Sequence, residues 1–564
     1  MPRSRVLPIL GAGLLVIVLL SGVQVRDAFS SSDNAEQLRK IEEAYEYITR
    51  AYVERVDSAQ LAEDAINGML AGLDPHSIYV TADEMRSVRE SFDASFEGIG
   101  IWYEFVEGRA DADTLVVLMP IAGGPSDEAG LHAGDRIIEI AGEAAIGFDT
   151  DDVQRTLKGP RGTTVDLVVQ RPGYRETLDF TITRDRIPLN TVIATHMIDD
   201  ETGYIKLQRF ARTSHEEIRA SIRELKGQGM QRLVLDLRDN AGGLLDQAYA
   251  ISDEFLPAGD MIVYTESRHP SNRRQYRATA GGSYEDDPVI ILINENAASA
   301  SEIVAGALQD HDRALLVGRR SFGKGLVQQQ FPMSDGSVLQ MTVSRYFTPS
   351  GRLIQTPYEV GAGDEAYFNA KVAIREAVED RLVAGAGFID ARAYGVEVPD
   401  SLTYETDGGR TVYGGGGILP DYIVPFDTME TAMRTIVGKN LDNEFARVEL
   451  ERLGEDFRAE WEGRQTEFVR SFRLDDATFA RFLDYADTHG APVVETRTED
   501  VDEDVLVRSE AFASRSDIEA RIRAFMSRRL YGAEAFFPVV GEIDTMLQEA
   551  LGLWDNARTL AQAR

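Results

Sequence analysis

Ser299 lies in the run NENAASASEIV, where the apolar stretch PVIILI turns into the helix-like SEIVAGALQD. Two kinds of work suit it. Ser299 and Glu302 fit the S-x-x-E capping box, in which the serine caps the first backbone N–H groups and the glutamate reaches back. A serine at a helix N-terminus is also a nucleophile candidate, because free N–H groups and the helix dipole favour a developing negative charge. A nucleophile of that kind needs a base. The chain has seven histidines, His76, His132, His196, His215, His269, His311 and His489, and no pattern pairs one of them with Ser299. His311, in LQDHDRALL, reads as a residue at the C-terminal end of a helix.

Lysine is the other candidate base. Lys324 stands between two glycines in GRRSFGKGLVQQQF, just ahead of a short apolar strand. A surface turn is the plain alternative. Gly318, Gly323 and Lys324 also match most of a phosphate loop, but Gly325 takes the place of the Ser or Thr that would hold magnesium. To act as a base the amine must be neutral near pH 7, which means lowering a reference pKa of about 10.4 by roughly three units, on the order of 4 kcal/mol. Desolvation in an apolar pocket can do this, and flanking glycines let the backbone pack closely enough to bring the amine inward. On an extended segment residues at even spacing share a face. Gln328 is then expected beside Lys324, where its amide orients the amine without adding charge. A third element is VLDLRDNAGGLL, a strand ending at Asn240-Ala-Gly-Gly243 before a helix. Paired glycines there either make a tight turn or expose the N–H donors that a tetrahedral intermediate wants.

NAASASEIVAGALQD, SFGKGLVQ, DLRDNAGG and GGGGILPD, joined by the upstream GMLAGLDPHS and FEGIGI, resemble the carboxyl-terminal processing (tail-specific) proteases of the S41 peptidase family over roughly residues 36 to 430. The resemblance implies a multidomain α/β protein. Its protease core would be crotonase/ClpP-like, with an inserted β-rich PDZ domain, N-terminal helices and a C-terminal helical extension. It implies Ser299 as nucleophile, Lys324 as general base, Gln328 as the residue that positions it, and the N–H groups of Gly243 and Ala300 as the oxyanion hole. The activity implied is that of a serine endopeptidase with a Ser–Lys dyad and an acyl-enzyme, using no metal and no organic cofactor. Ala297 stands where the family often has serine. FEGIGI resembles a PDZ carboxylate-binding loop, so Gly98, Ile99, Gly100 and Ile101 are the implied substrate-binding residues. GGPSDEAGLHAGDRIIEIAG supports this, although Ser126-Asp127 departs from the usual Pro-Ala. The implied partners are protein substrates with apolar C-terminal tails, each adding as a strand at the sheet edge. A PDZ scaffold that binds C-termini without cleaving them is the main alternative; acyl-thioester chemistry on a related core is another, and it lacks an evident coenzyme site.

These residues need elements to position them. At 564 residues the chain is too long for one core. Residues 1–30 read as a signal or membrane anchor, with Arg3 and Arg5 before the apolar run from Val6 to Val25. Residues 31–92 read as helical. Short apolar runs broken by glycine over 93–186 suggest a small β-rich module with one helix near DDVQRTLKG. Over 187–430 strand-like and helical runs alternate, which argues an α/β layer, with an irregular insertion at 357–412. Residues 431–564 read as mostly helical, interrupted by the acidic run ETRTEDVDEDV, and are expected to support an oligomer or an adaptor. The net charge of −35 argues against nucleic acid as partner. No cysteine is present, so disulfides and thiolate catalysis are excluded. The basic-then-apolar start makes an exported chain the expectation, on the periplasmic side of the cell envelope and held by an N-terminal membrane helix.

Overall fold

The computed structural model describes residues 32–106, 114–121, 123–359, 400–425, 430–496 and 505–562, with a few positions between 361 and 388. The expected anchor at 1–30, much of the insertion at 357–412 and most of the acidic run lie outside the described residues. Residues up to Tyr79 form one compact unit and those from Val80 another. The first holds α1 (Ser32–Ala51) and α2 (Ser58–Leu70), the latter capped by the Asp57 carboxylate, which accepts from the N–H groups of Ala59 and Gln60. Among the described residues no helix is long and apolar enough to cross a membrane.

In the second unit α3 (Ala82–Asp93) starts on a capping box, Thr81 with Glu84, and leads into β1 (Ser95–Gly98). A β-rich module follows. Its strands β2 (Ile101–Val106), β3 (Thr114–Pro120) and β4 (Arg136–Ile140) precede the helix α4 (Thr150–Leu157), and β5 (Thr164–Gln170) and β6 (Leu178–Thr183) follow it. Neighbours pair antiparallel in chain order, which leaves β2 bonded on one side only among the described residues. Alternation in β5 buries Val165, Leu167 and Val169 against Val153 and Leu157 of α4. The chain leaves along β7 (Asp185–Pro188), which pairs back onto β1, so a two-stranded ribbon frames the module.

The central sheet begins with β8 (Val192–Met197), β9 (Thr202–Leu207), helix α5 (Ser214–Gly227), β10 (Arg232–Asp236) and helix α6 (Leu245–Asp253). A side sheet takes β11 (Met261–Glu266) and β12 (Arg274–Arg277). The central sheet continues with β13 (Val289–Ile293), helix α7 (Ala300–Asp310) and β14 (Leu315–Gly318). The hairpin β15 (Leu326–Pro332) and β16 (Val338–Phe347) joins the side sheet, and β17 (Tyr422–Ile423) returns to the central one. Central order is β8-β9-β10-β13-β14-β17, then Gly387–Phe388; β9 through β17 run parallel. Parallel strands are covered on both faces, which explains the unbroken apolar run of β13. Leu233, Leu235, Ile291, Ile293 and Leu316 face α5, α6 and α7.

The opposite face is covered from far along the chain. Helices α8 (Thr431–Gly438), α9 (Leu441–Trp461), α10 (Gln465–Ser471), α11 (Asp476–Thr488) and α12 (Arg515–Tyr531) build their own core around Phe445, Phe468, Phe482, Ile522 and Met526. The last two helices, α13 (Thr545–Leu551) and α14 (Trp554–Gln562), pack elsewhere: Met546, Leu547, Leu553 and Trp554 lie on Val234, Ile290, Leu292 and Val317 of the central sheet. Asp544, which caps α13, pairs with Arg238 at 2.6 Å. Arg238 also bonds the fully buried Asp236. Burial alone would raise that carboxyl; Arg238 and Lys206 instead hold it well below the usual carboxylate range.

β8 carries a group with a testable cost. His196 lies against the Tyr204 ring, centroids 4.9 Å apart, and its Nδ1 is buried with no hydrogen-bond partner among the described residues. Burial pushes the imidazole down to about 4 from its ordinary 6.5. The unfolded chain therefore binds the extra proton first, and this group's share of stability is present above pH 6.5 and lost as pH falls toward 4. The loss is on the order of 3 kcal/mol. His196→Phe is expected to keep the ring contact and flatten urea stability over that window.

Candidate active site

β13 ends at Ile293, and the turn Asn294–Ala298 delivers Ser299 to the N-terminus of α7, a helix buried along its whole length. Ser299 has φ 53° and ψ −107°. A non-glycine residue there costs on the order of 1–3 kcal/mol and persists only where neighbours over-determine it. Here both of its backbone polar groups are held: the N–H donates to Glu302 Oε2 at 2.7 Å, and the carbonyl accepts from Ile303 N–H at 3.0 Å and from the Tyr346 hydroxyl at 3.1 Å.

Glu302 does more than close a capping box. It is fully buried, and its carboxylate accepts four hydrogen bonds from uncharged donors. Oε1 takes Ser321 Oγ and Gly323 N–H, each at 2.6 Å; Oε2 takes Ser299 N–H and, at 2.9 Å, Lys324 N–H. Burial raises its pKa, and these bonds draw it part of the way back. Ser299 and Lys324 therefore meet main chain to main chain on one carboxylate oxygen, from elements twenty-five residues apart.

Lys324 is half-buried, in the irregular segment between β14 and β15. Its glycine neighbours are required by contact: a Cβ on Gly323 (φ 87°) would lie 2.2 Å from Thr356 Oγ1, and one on Gly325 2.9 Å from Gln355 N. Ser321 links this segment to the glycine-rich stretch by accepting Ile418 N–H at 2.7 Å. Gln328 is half-buried on β15, and its Nε2 lies 3.4 Å from Thr342 Oγ1 across the hairpin, next to a shift in register at Val327. Lys324 sits two residues ahead of β15, so the period-two rule expected to put both on one strand face does not reach it.

The oxyanion candidates are assembled by Asn240. Its side chain donates to Leu207 O and accepts Gly242 N–H, each at 2.9 Å. Its carbonyl accepts Ala298 N–H at 3.0 Å and Ser301 Oγ at 2.8 Å, tying the two loops directly. A Cβ on Gly242 would lie 2.9 Å from Ser299 Cβ and 3.0 Å from Ala300 N, and one on Gly243 (φ 145°) 2.1 Å from Phe210 O. Only glycine allows so close an approach. Among the described residues the N–H groups of Gly243 and Ala300 donate to no acceptor.

The loop Gly98–Ile101 enters the edge strand β2 some distance along the chain from these residues. Ser126 donates from both N–H (3.0 Å) and Oγ (2.7 Å) to Ile99 O, and Ile121 N–H donates to Gly100 O at 2.9 Å. Asp127 accepts Gly123 N–H at 2.8 Å. The departure at Ser126-Asp127 thus has a local use: the Ser126 side chain braces the loop, and Asp127 holds the turn at Gly123 that precedes Ser126. With its carbonyls held inward, the loop leaves the Ile99 and Gly100 N–H groups without a carbonyl acceptor from any described turn or loop.

Sequence reasoning missed two residues. Glu302 was visible only as half of a cap, and Tyr346 only as an apolar position in a strand. The clue for Glu302 was a carboxylate inside an otherwise small, apolar run; no local pattern singles out Tyr346.

Several stretches of the chain are similar to known proteins. Residues 201–360 match the family described as Peptidase family S41, residues 116–171 a PDZ domain, and residues 21–84 the activating protease CtpB N-terminal domain. A carboxy-terminal-processing protease of Bartonella bacilliformis is 38% identical over 347 residues, 60% of this chain and 78% of that protein. Carboxy-terminal processing protease CtpB of Bacillus subtilis is 36% identical over 331 residues, 58% and 67% of the two chains. Among solved structures, the photosystem II D1 C-terminal processing protease shares 31% identity with a TM-score of 0.32, covering 56% of this chain and 89% of that one.

Proposed function

Since the chain belongs to the carboxy-terminal-processing proteases of peptidase family S41, and so is a serine-type protease, we propose that it cleaves proteins captured by apolar C-terminal tails through a Ser299–Lys324 dyad. The observation that carries the reading is the shared Glu302 oxygen, which fixes the main chains of both residues. The uncharged Lys324 amine takes the Ser299 proton as Oγ attacks the scissile carbonyl. The oxyanion meets the Gly243 and Ala300 N–H groups, aided by the N-terminus of α7. Collapse expels the amine, protonated by Lys324, and leaves an acyl-enzyme that water hydrolyses. Gln328 orients the Lys324 side chain. Side chains and backbone suffice for every step.

Substrate capture falls to β2 and the Gly98–Ile101 loop. A tail would add to the open side of β2, with its carboxylate on the Ile99 and Gly100 N–H groups. The test is a soluble protein extended by an apolar tail, its products sequenced by mass spectrometry with the Ser299→Ala chain as blank. Amidating the tail carboxylate removes a charge-assisted bond, and kcat/KM is expected to fall about ten- to a hundredfold. Equal cleavage of acid and amide would remove the capture step from the proposal. Arg3, Arg5 and the apolar run at 6–25 support export to the envelope with an N-terminal anchor; immunoblots of membrane and soluble fractions test it.

A further inference from the structure

We propose that Tyr346 is a positioning residue for both members of the dyad, a role that rests on reading Ser299 and Lys324 as nucleophile and base. The ring is buried in the core cluster between the central sheet and its helices. Its hydroxyl reaches two carbonyl oxygens from separate segments, Lys324 O at 2.5 Å and Ser299 O at 3.1 Å. Its own N–H donates to Gly325 O at 3.0 Å, so the base's segment is held from side chain and main chain alike.

Two carbonyl oxygens converging on one point repel each other unless a proton lies between them. One hydroxyl has one proton, shared here as a three-centre bond. Burial, with the Glu302 carboxylate nearby, pushes the phenol well up, so that proton stays in place at working pH. Glu302 and Tyr346 thus form a complementary pair: one collects the N–H groups of Ser299 and Lys324, the other their C=O groups. All four main-chain polar groups of the dyad are fixed by two side chains. Ser299 holds a left-handed backbone, and a loosened carbonyl is the route by which it would relax and swing Oγ away.

Tyr346→Phe removes the hydroxyl alone and keeps the ring. In the full chain kcat is expected to fall about ten- to a hundredfold with KM for a tail-bearing substrate within twofold. Labelling of Ser299 by a small fluorophosphonate, which does not use the tail-binding module, should slow by the same factor and need a higher pH to reach half its maximal rate. Tail-peptide affinity, which reports the tail-binding module, should be unchanged, and a single cooperative urea transition reports that the core around Tyr346 is folded. Tyr249→Phe, which removes a phenol bonded to Arg277 O at 3.2 Å on the surface, is the control and should match wild type. If Tyr346→Phe labels as fast as wild type and with the same pH dependence, the positioning role is wrong while the dyad stands. If wild-type Ser299 fails to label at all, the dyad reading itself is wrong, and this role with it.

Discussion

Lys324→Ala is expected to lower kcat about ten-thousand-fold with KM within a few-fold, because a nucleophilic serine without its base is left with oxyanion stabilisation and binding alone. Ser299→Ala should cost a similar factor. The sharper expectation concerns the double variant: residues that act as one unit are grossly non-additive, so removing both should cost no more than removing either. Lys324→Arg should give no rescue, since a guanidinium stays charged and cannot accept the proton. In the wild type only the uncharged amine is a base, so activity rises with pH and falls as the amine gains its proton. Single-turnover rates on a tail-bearing substrate test all of this. A double loss equal to the product of the single losses would show that the two side chains work independently, contrary to the dyad.

Glu302→Gln is expected to cost about a thousandfold in kcat and about 3–4 kcal/mol in stability. Each N–H bond to a buried carboxylate contributes about 1.5–3 kcal/mol. The amide replaces one acceptor oxygen by a donor, which must face either the Ser321 and Gly323 pair or the Ser299 and Lys324 pair. Facing Ser299 and Lys324 it orphans both N–H groups; facing the other pair it orphans Gly323 N–H, while the Ser321 hydroxyl can turn to accept from it and loses its carboxylate acceptor. The pH dependence has a definite sign. Burial holds the Glu302 carboxyl above its ordinary 4.5 despite the bonds that lower it, so in the window just above 4.5 the folded chain binds the proton more tightly than the unfolded one. That share of stability is present below 4.5 and lost as pH rises through the folded value. Glutamine carries no such proton, so the gap between wild type and variant should narrow as pH rises across the window. Urea midpoints at several pH values would show it; a gap that widens would contradict the burial argument.

The sequence revealed these elements unequally, for physical reasons. β13 was legible as an unbroken apolar run because a buried parallel strand needs no polar face, and β10 as a shorter apolar stretch, Leu233 to Leu235, between charged ends. The β-rich module was legible from glycine-punctuated alternation. Ser299 and Lys324 were legible because their neighbours are constrained, small residues where loops touch and glycines where a Cβ would collide. Glu302 was only half legible: its bond to Ser299 N–H is local, but Ser321, Gly323 and Lys324 arrive from about twenty residues on. Tyr346 was hidden because its partners lie 22 and 47 positions away. The face-sharing argument for Lys324 and Gln328 assumed one continuous strand, whereas β15 starts at Leu326. Nor does an amphipathic helix say which surface it covers, so the partners of α13 and α14 could not be read in advance.

Those two helices have a consequence for the birth of the molecule. Val234, Ile290, Leu292 and Val317 are translated more than two hundred residues before Met546 and Trp554, which shield them. While the ribosome is still at work, the catalytic sheet carries an oily, unshielded side, and Arg238, a few residues before Gly242, waits for Asp544. The sheet is therefore completed only after the segment from Asp544 to Trp554 has been made. A half-made polypeptide of this kind holds Ser299 above a sheet whose far side is still bare, so a chain cut short before Thr545 is expected to leave those four side chains open to water.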